Sequence, residues 1–60
     1  MMNFAIYSVT VNASSYDIDG IYDAIKACGL YVLELTAVRR ICEGSYECFG
    51  CFVRQSRQRV

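Results

Sequence analysis

The chain has 60 residues, of which 55% are hydrophobic, and it contains no proline. A chain of this length buries only about 60% of the surface that its unfolded form exposes, so we expect a single domain with a small core. Six basic and six acidic residues cancel, so there is no overall field to attract nucleic acid or anionic lipid. Apolar runs are far shorter than the roughly 20 residues of a membrane-spanning helix. Because signal-peptide features are also missing, we expect a cytoplasmic protein with no membrane partner.

The zero net charge hides a gradient along the chain. Residues 1–36 contain four acidic residues and one lysine, whereas residues 37–60 contain five arginines and two glutamates. The two parts therefore have net charges of −3 and +3. Such a charge dipole suits self-association or a partner of mixed charge as well as it suits a phosphate backbone.

The first predicted element is a strand from Phe4 to Ala13. This stretch is rich in β-branched and aromatic residues, and apolar positions alternate with polar ones, as in a strand with one buried face. The alternation predicts a common face for four apolar residues: Ala5, Tyr7, Val9 and Val11.

A helix is predicted next, with Ser14 and Ser15 as candidate N-caps. Its apolar residues recur at three- and four-residue spacing, which indicates one buried face: Ile18, Ile21, Tyr22, Ile25 and Cys28. Gly29 follows the last of them and predicts the end of the helix. Gly20 costs roughly 1 kcal/mol relative to Ala inside a helix, so we expect it to mark a close contact with the sheet.

Two further strands are predicted, from Tyr31 to Cys42 and from Tyr46 to Arg54, joined by the short polar turn 43–45 that contains Gly44. In the first of these strands a two-residue period places four apolar residues on one face: Leu33, Leu35, Ala37 and Ile41. We expect the centre of the core to combine two residues from this face with two from the helix: Leu33, Leu35, Ile21 and Ile25.

The predicted fold class is α+β: a small β-α-β-β domain in which a three-stranded antiparallel sheet has one helix packed on one face. Residues 1–54 form the single domain, and residues 55–60 form a polar, basic C-terminal tail. Because one helix covers only one face of a sheet, we expect an uncovered apolar patch and, as its remedy, a homodimer. The residues expected in this patch are Phe4, Ile6, Val32, Val38, Cys48 and Phe52.

The sequence offers no catalytic set, so we do not expect an enzyme. The absence of histidine removes the commonest general base and the usual partner of a nucleophilic serine or cysteine. The four glycines are isolated and form neither of the known phosphate-binding loops. The aspartates near the start of the helix are explained by capping and by the helix dipole.

Four cysteines are the candidates for a metal site: Cys28, Cys42, Cys48 and Cys51. Zinc accepts four thiolates, and Cys48 and Cys51 form a CxxC pair. The other two lie on separate predicted elements, so we favour buried free thiols and no cofactor, with zinc as one alternative. A disulfide or redox role is the other, although a redox CxxC needs a helix N-terminus where a strand is predicted here.

The remaining candidates for binding are aromatic and basic. The stretch 48–54, Cys-Phe-Gly-Cys-Phe-Val-Arg, is similar to the third-strand motif of the RNA-recognition motif (RRM), whose sheet aromatics stack on single-stranded RNA. The similarity covers about a dozen residues, has one residue inserted and lacks the leading basic-glycine pair. The aromatic candidates are Tyr7, Phe49 and Phe52. The basic candidates are Arg39, Arg40, Arg54, Arg57 and Arg59.

Two functions fit this sequence. The one we favour is a small non-catalytic protein-binding module, of inhibitor or adaptor type, that acts through an uncovered sheet face or an edge strand and self-associates. The alternative is a small nucleic-acid-binding module in which the arginines contact phosphates and the sheet aromatics stack on bases.

Overall fold

A computed structural model describes residues 4–56 of the chain. The elements, in chain order, are β1 (Ile6–Asn12), α1 (Ile18–Ala27), β2 (Leu30–Cys42) and β3 (Ser45–Arg54). The three strands form one antiparallel sheet in the order β1-β3-β2, and α1 packs on one face of it. The predicted α+β class, the order of the elements and the central position of the third strand are confirmed. Within residues 4–56, no helix is long and apolar enough to cross a membrane.

Helix α1 begins at a different cap from the predicted one. The N-cap is Asp17 rather than Ser14 or Ser15, because its carboxylate accepts a 2.7 Å hydrogen bond from the backbone N–H of Gly20. The Ser15 hydroxyl donates to the same carboxylate at 3.3 Å. A Cβ atom added at Gly20 would meet Asp17 Oδ1 and Ser15 Oγ. Gly20 therefore faces the cap, and the predicted close contact between Gly20 and the sheet is wrong.

The end of α1 agrees with the prediction and also anchors the end of β3. Gly29 adopts a φ of 82°, and its N–H donates to the carbonyl of Lys26. The Gly29 carbonyl in turn accepts a 2.8 Å hydrogen bond from the N–H of Gln55, whose side chain donates to the carbonyl of Leu30 at 3.1 Å. The first residue of the predicted tail is thus bound to the domain, while residues 57–60 lie outside the described residues.

The core lies between α1 and the sheet. Its buried residues are Val11, Ile21, Ile25, Leu30, Tyr46, Cys48 and Phe52. Ile21 and Ile25 are at its centre, as expected. Leu33 is not part of it, since that side chain is 65% exposed, and Leu35 is only partly buried against its margin.

Register shifts in β2 explain why Leu33 lies outside the core. The pairing of β2 with β3 shifts between Val32 and Glu34, between Leu35 and Ala37, and between Arg40 and Cys42. Each shift inserts an extra residue into β2 and resets which side chains face inward. The β2 residues that pack toward the core are therefore spaced mainly by three: Leu30, Val32, Leu35 and Val38.

The predicted uncovered patch is also wrong, because most of its members face the helix. Cys48 and Phe52 are fully buried. Three further members are partly buried against the same core: Ile6, Val32 and Val38. Phe4 alone among them is strongly exposed, at 74%. Since β3 is apolar on both faces, its alternation does not reveal which face the helix covers.

The backbones of β2 and β3 approach closely at Gly50, in the centre of the sheet. A Cβ atom added there would overlap the carbonyl oxygen of Glu34 and lie 2.9 Å from the Cα atom of Leu35. The hydroxyl of Thr36, next along β2, donates to the carbonyl of Phe49 at 3.0 Å. The irregular part of β2 can therefore approach β3 this closely only because residue 50 of β3 is a glycine.

Candidate functional site

The face of the sheet opposite α1 is covered by no other described element. Residues directly opposite one another in antiparallel strands place their side chains on the same face. The β3 residues that alternate with buried Tyr46, Cys48 and Phe52, together with their pairing partners, therefore define this second surface. We call the part of this surface alongside residues 47–53 the open face. It comprises Glu47, Phe49, Cys51 and Val53 with Ser8, Thr10, Tyr31, Glu34, Ala37 and Arg39.

The centre of the open face is apolar. Phe49, Cys51 and Val53 are partly buried, although only neighbouring strands shield them. Tyr31, which pairs with Val53, is 53% exposed. Two strongly exposed apolar side chains lie at register shifts of the edge strands beside this row: Tyr7 and Leu33. A contiguous apolar surface in water is a feature of interaction sites.

Charges of both signs surround this apolar centre. Arg39 donates a hydrogen bond to the carboxylate of Glu47, the residue opposite it on β3. Thr10 of β1 is the other neighbour of Glu47, and Glu34 lies beside Cys51 farther along the sheet. A surface that carries both signs can match a partner of mixed charge, including a second copy of itself.

The described arginines do not form one basic patch. Arg39 is on the open face and is paired with Glu47, whereas Arg40 lies opposite Tyr46, on the side of the helix. Arg54 pairs with Leu30 at the other end of β3, about 26 Å from Tyr46 at the usual rise per strand residue. The other two basic candidates, Arg57 and Arg59, lie outside the described residues.

The aromatic candidates separate as well. Phe49 is on the open face, and Tyr7 is 68% exposed at the edge of the sheet. Phe52 has no exposed surface and packs in the core, so its assignment as a binding residue is corrected. Phe49 and Phe52 are three residues apart on one strand, and an odd spacing in a strand places side chains on opposite faces.

Of the open face, sequence reasoning offered only Phe49 and Arg39 as binding residues. It missed the rest, including Tyr31, Cys51 and Val53 of the apolar centre. The available signal was the alternation of β3, because Cys51 and Val53 follow Phe49 at two-residue steps. Tyr31 is identified only by its pairing with Val53, which depends on a register that the sequence does not specify.

The four cysteines do not converge on one place in the fold. Cys28 caps the end of α1 and Cys42 ends β2, both exposed, whereas Cys48 is buried and Cys51 is on the open face. Burial, with a smaller contribution from the neighbouring Cys28 thiol, raises the pKa of Cys48. No cluster of three or more metal-ligating side chains is found in residues 4–56. The zinc arrangement of all four thiolates therefore receives no support from their placement.

A second feature, which the sequence did not reveal, is a groove beside the start of α1. It has a volume of about 230 Å³ and is lined by Tyr16, Asp17, Ile18, Ile21 and Val38. The ring of Tyr16 stacks on that of Tyr46 with 5.2 Å between centroids. Sites for drug-sized ligands usually enclose about 300–1,000 Å³, so this groove is too small for that class.

No protein-family model matches the sequence, and neither a curated protein nor a solved structure matches the chain.

Proposed function

We propose that this protein is a small non-catalytic module that binds another protein through its open face, in the manner of an inhibitor or adaptor, and that it also self-associates. The observation that supports the proposal is the two-sided character of β3. Its helix-facing side chains, such as Phe52, are fully buried. On the other side Phe49, Cys51 and Val53 keep accessible apolar surface that folding does not use.

The size of the open face indicates the kind of complex to expect. The strands β1, β2 and β3 have 7, 13 and 10 residues. At a spacing of about 4.8 Å and an average length of about ten residues, each rising about 3.3 Å, they give a face of about 14 by 33 Å. Covering it with a partner of equal footprint removes roughly 900 Å² of surface from water, which is the range of weak and transient complexes.

The proposal includes neither catalysis nor a cofactor. The chain has no histidine, and of the two open-face carboxylates Glu47 is paired with Arg39. That leaves Glu34 without the second converging group that acid–base chemistry requires. We include a cytoplasmic location in the proposal, because reduced thiols are maintained in that compartment.

Nucleic-acid binding is the weaker candidate. Phosphate recognition gains from several cations that lie along one surface, and Arg39, Arg40 and Arg54 are divided between two faces and two ends of the sheet. Of the three aromatic residues in that hypothesis, Phe52 is buried in the core and cannot stack on a base. What still supports it is the pair of accessible aromatics, Tyr7 and Phe49.

The test is capture from a native cell lysate with matched variants. Tagged wild type, Phe49→Ser and Ile18→Ser are compared, because Ile18 is 59% exposed but lies in the groove beside α1. We expect wild type and Ile18→Ser to retain the same partner protein, also after nuclease treatment, and Phe49→Ser to lose it. Loss with Ile18→Ser and retention with Phe49→Ser would contradict the proposal. A partner that disappears with nuclease would favour the nucleic-acid alternative.

A further inference from the structure

The two edges of the sheet differ in how they are protected against pairing with another strand. Because β3 is central, β1 and β2 each have one edge whose backbone N–H and C=O groups have no strand partner among the described residues. Proteins blunt such edges with charged side chains, prolines and bulges. The distribution of these features therefore shows which edge is protected against pairing with another strand.

Strand β2 carries the protective features. It interrupts its pairing with three register shifts, and it contains three charged residues: Glu34, Arg39 and Arg40. A regular incoming strand would lose its register against β2 within a few residues.

Strand β1 lacks them. Its seven residues, Ile-Tyr-Ser-Val-Thr-Val-Asn, include no charge, no proline and no glycine. Its single register shift is confined to the start, between Ile6 and Ser8, and the pairing is regular from Ser8 to Asn12. Among the described elements β1 contacts only β3 and α1, so its outer edge is accessible.

We infer that the outer edge of β1 pairs with β1 of a second copy, antiparallel, to give one continuous six-stranded sheet. This inference rests on the self-association in the proposed function and names the surface that produces it. An antiparallel pair of identical strands is related by a two-fold axis, which is the commonest symmetry of protein dimers. We assign the occupant as a second copy because two uncharged β1 strands meet without repulsion and because the polar and apolar residues of β1 match those of another β1 in one register.

The side chains of β1 fit this arrangement in one register. When Thr10 lies opposite the partner's Thr10, Ser8 lies opposite the partner's Asn12 and Val9 opposite the partner's Val11. Ser8 and Thr10 are exposed on the open face, and Asn12 is exposed opposite Ser45, so polar residues meet polar residues. Val9 and Val11 pack on the helix side, so apolar residues meet apolar residues. Paired threonines are favourable cross-strand neighbours.

The pairing has a consequence for the proposed function. A two-fold axis perpendicular to the sheet leaves both helices on one side and both open faces on the other. The dimer therefore presents a single surface about twice as wide as the open face of one copy, centred on the two Thr10 residues. The face that binds another protein is enlarged rather than consumed by self-association.

The experiment compares two lysine substitutions on the open face, one at each edge. Thr10→Lys places like charges opposite each other across the β1 pair, whereas Ala37→Lys places the same charge on β2, and both residues are exposed. Sedimentation equilibrium at up to about 100 µM, a range suited to small interfaces, should give wild type and Ala37→Lys twice the 6.8 kDa mass of one chain. Thr10→Lys should remain at the mass of one chain.

Mixing supplies the test of register. Thr10→Glu should also be monomeric alone, and an equimolar mixture of Thr10→Lys with Thr10→Glu should restore the doubled mass, because opposite charges then face each other. A wild-type monomer, a Thr10→Lys dimer or a mixture that stays monomeric would overturn the inference. None of these results touches the capture test with Phe49→Ser, so the binding proposal stands or falls separately.

Hydrogen exchange on the wild type provides a measurement that needs no folded variant. As concentration rises through the dimerisation range, amide protection should increase within residues 8–12 and stay constant within residues 37–40. The reverse pattern would place the interface at β2 and overturn the inference.

Discussion

The two faces of β3 carry similar apolar residues in different environments. Phe52 and Cys48 on the covered face have no exposed surface, and they pack with Ile21 and Ile25 of α1. On the open face Phe49 and Cys51 of the same strand lack a helix above them and are only partly buried. The comparison shows that one strand of ten residues supplies both the core and the candidate binding surface. The position of the helix decides which residues serve which purpose.

The largest effect is expected at Gly50, in the centre of the sheet, where the backbones of β2 and β3 approach closely. Gly50→Ala adds a Cβ atom that overlaps the Glu34 carbonyl and crowds the Leu35 backbone, and backbone cannot move aside without breaking the β2·β3 pairing. We expect the cooperative thermal transition to disappear in circular dichroism. Gly20→Ala is the control, since its Cβ atom mainly meets the side chains of Asp17 and Ser15. A Gly50→Ala protein that melts like Gly20→Ala would show that the strands are not packed as described.

A smaller effect is expected from Cys48 on the covered face, whose buried thiol should make the free energy of unfolding depend on pH. Burial raises the pKa of the Cys48 thiol above its ordinary value of 9.0, so the folded state keeps this proton at pH values where the unfolded state releases it. The contribution of the protonated Cys48 thiol to the free energy of unfolding is therefore fully present below about pH 9. Above that pH it declines by at most about 1.4 kcal/mol per pH unit.

Urea unfolding from pH 8 to about 10.5 checks this expectation, with Cys48→Ala and Cys42→Ala measured beside the wild type. Cys42 is exposed at the end of β2, so Cys42→Ala should keep the full alkaline loss, whereas Cys48→Ala should lose part of it. Equal slopes in all three proteins would mean that the Cys48 thiol is not buried.

The smallest effect is expected on the open face, at the pair of Arg39 with Glu47. The side chain of Arg39 is 68% exposed, and exposed ion pairs contribute about 0–1 kcal/mol and weaken with salt. Arg39→Ala should therefore lower the free energy of unfolding by about 0.5 kcal/mol or less. Urea titrations at low and high salt measure this difference. A loss above about 2 kcal/mol that persists in salt would assign Arg39 to the fold rather than to the surface.

The sequence predicted those parts of the fold that depend on local patterns. The alternation in the first strand, the three- and four-residue spacing around Ile21 and Ile25, and Gly29 at the helix end predicted the elements and their order. The cap was misassigned because Ser14, Ser15 and Asp17 all have side chains that accept the same hydrogen bond, and only the geometry selects Asp17.

The remaining errors arose from features that no local pattern encodes. Register shifts in β2 place Leu33 in water and Val32 toward the core, and a two-residue period does not anticipate an inserted residue. In β3 both alternating sets are apolar, so the sequence fitted either face to the helix equally well. The sequence therefore predicts an uncovered face with the wrong residues, and it assigns Phe52 to binding together with Phe49.

The measurement that tests the account most directly compares those two phenylalanines. Phe52→Ala removes a fully buried ring and should lower the free energy of unfolding by about 3–5 kcal/mol, which is comparable to the total stability of so small a domain. Phe49→Ala removes a ring from the open face and should cost about 1 kcal/mol or less. Urea unfolding of both variants beside the wild type gives the two differences. Equal losses, or a greater loss for Phe49→Ala, would contradict the division of the sheet into a face for folding and a face for binding.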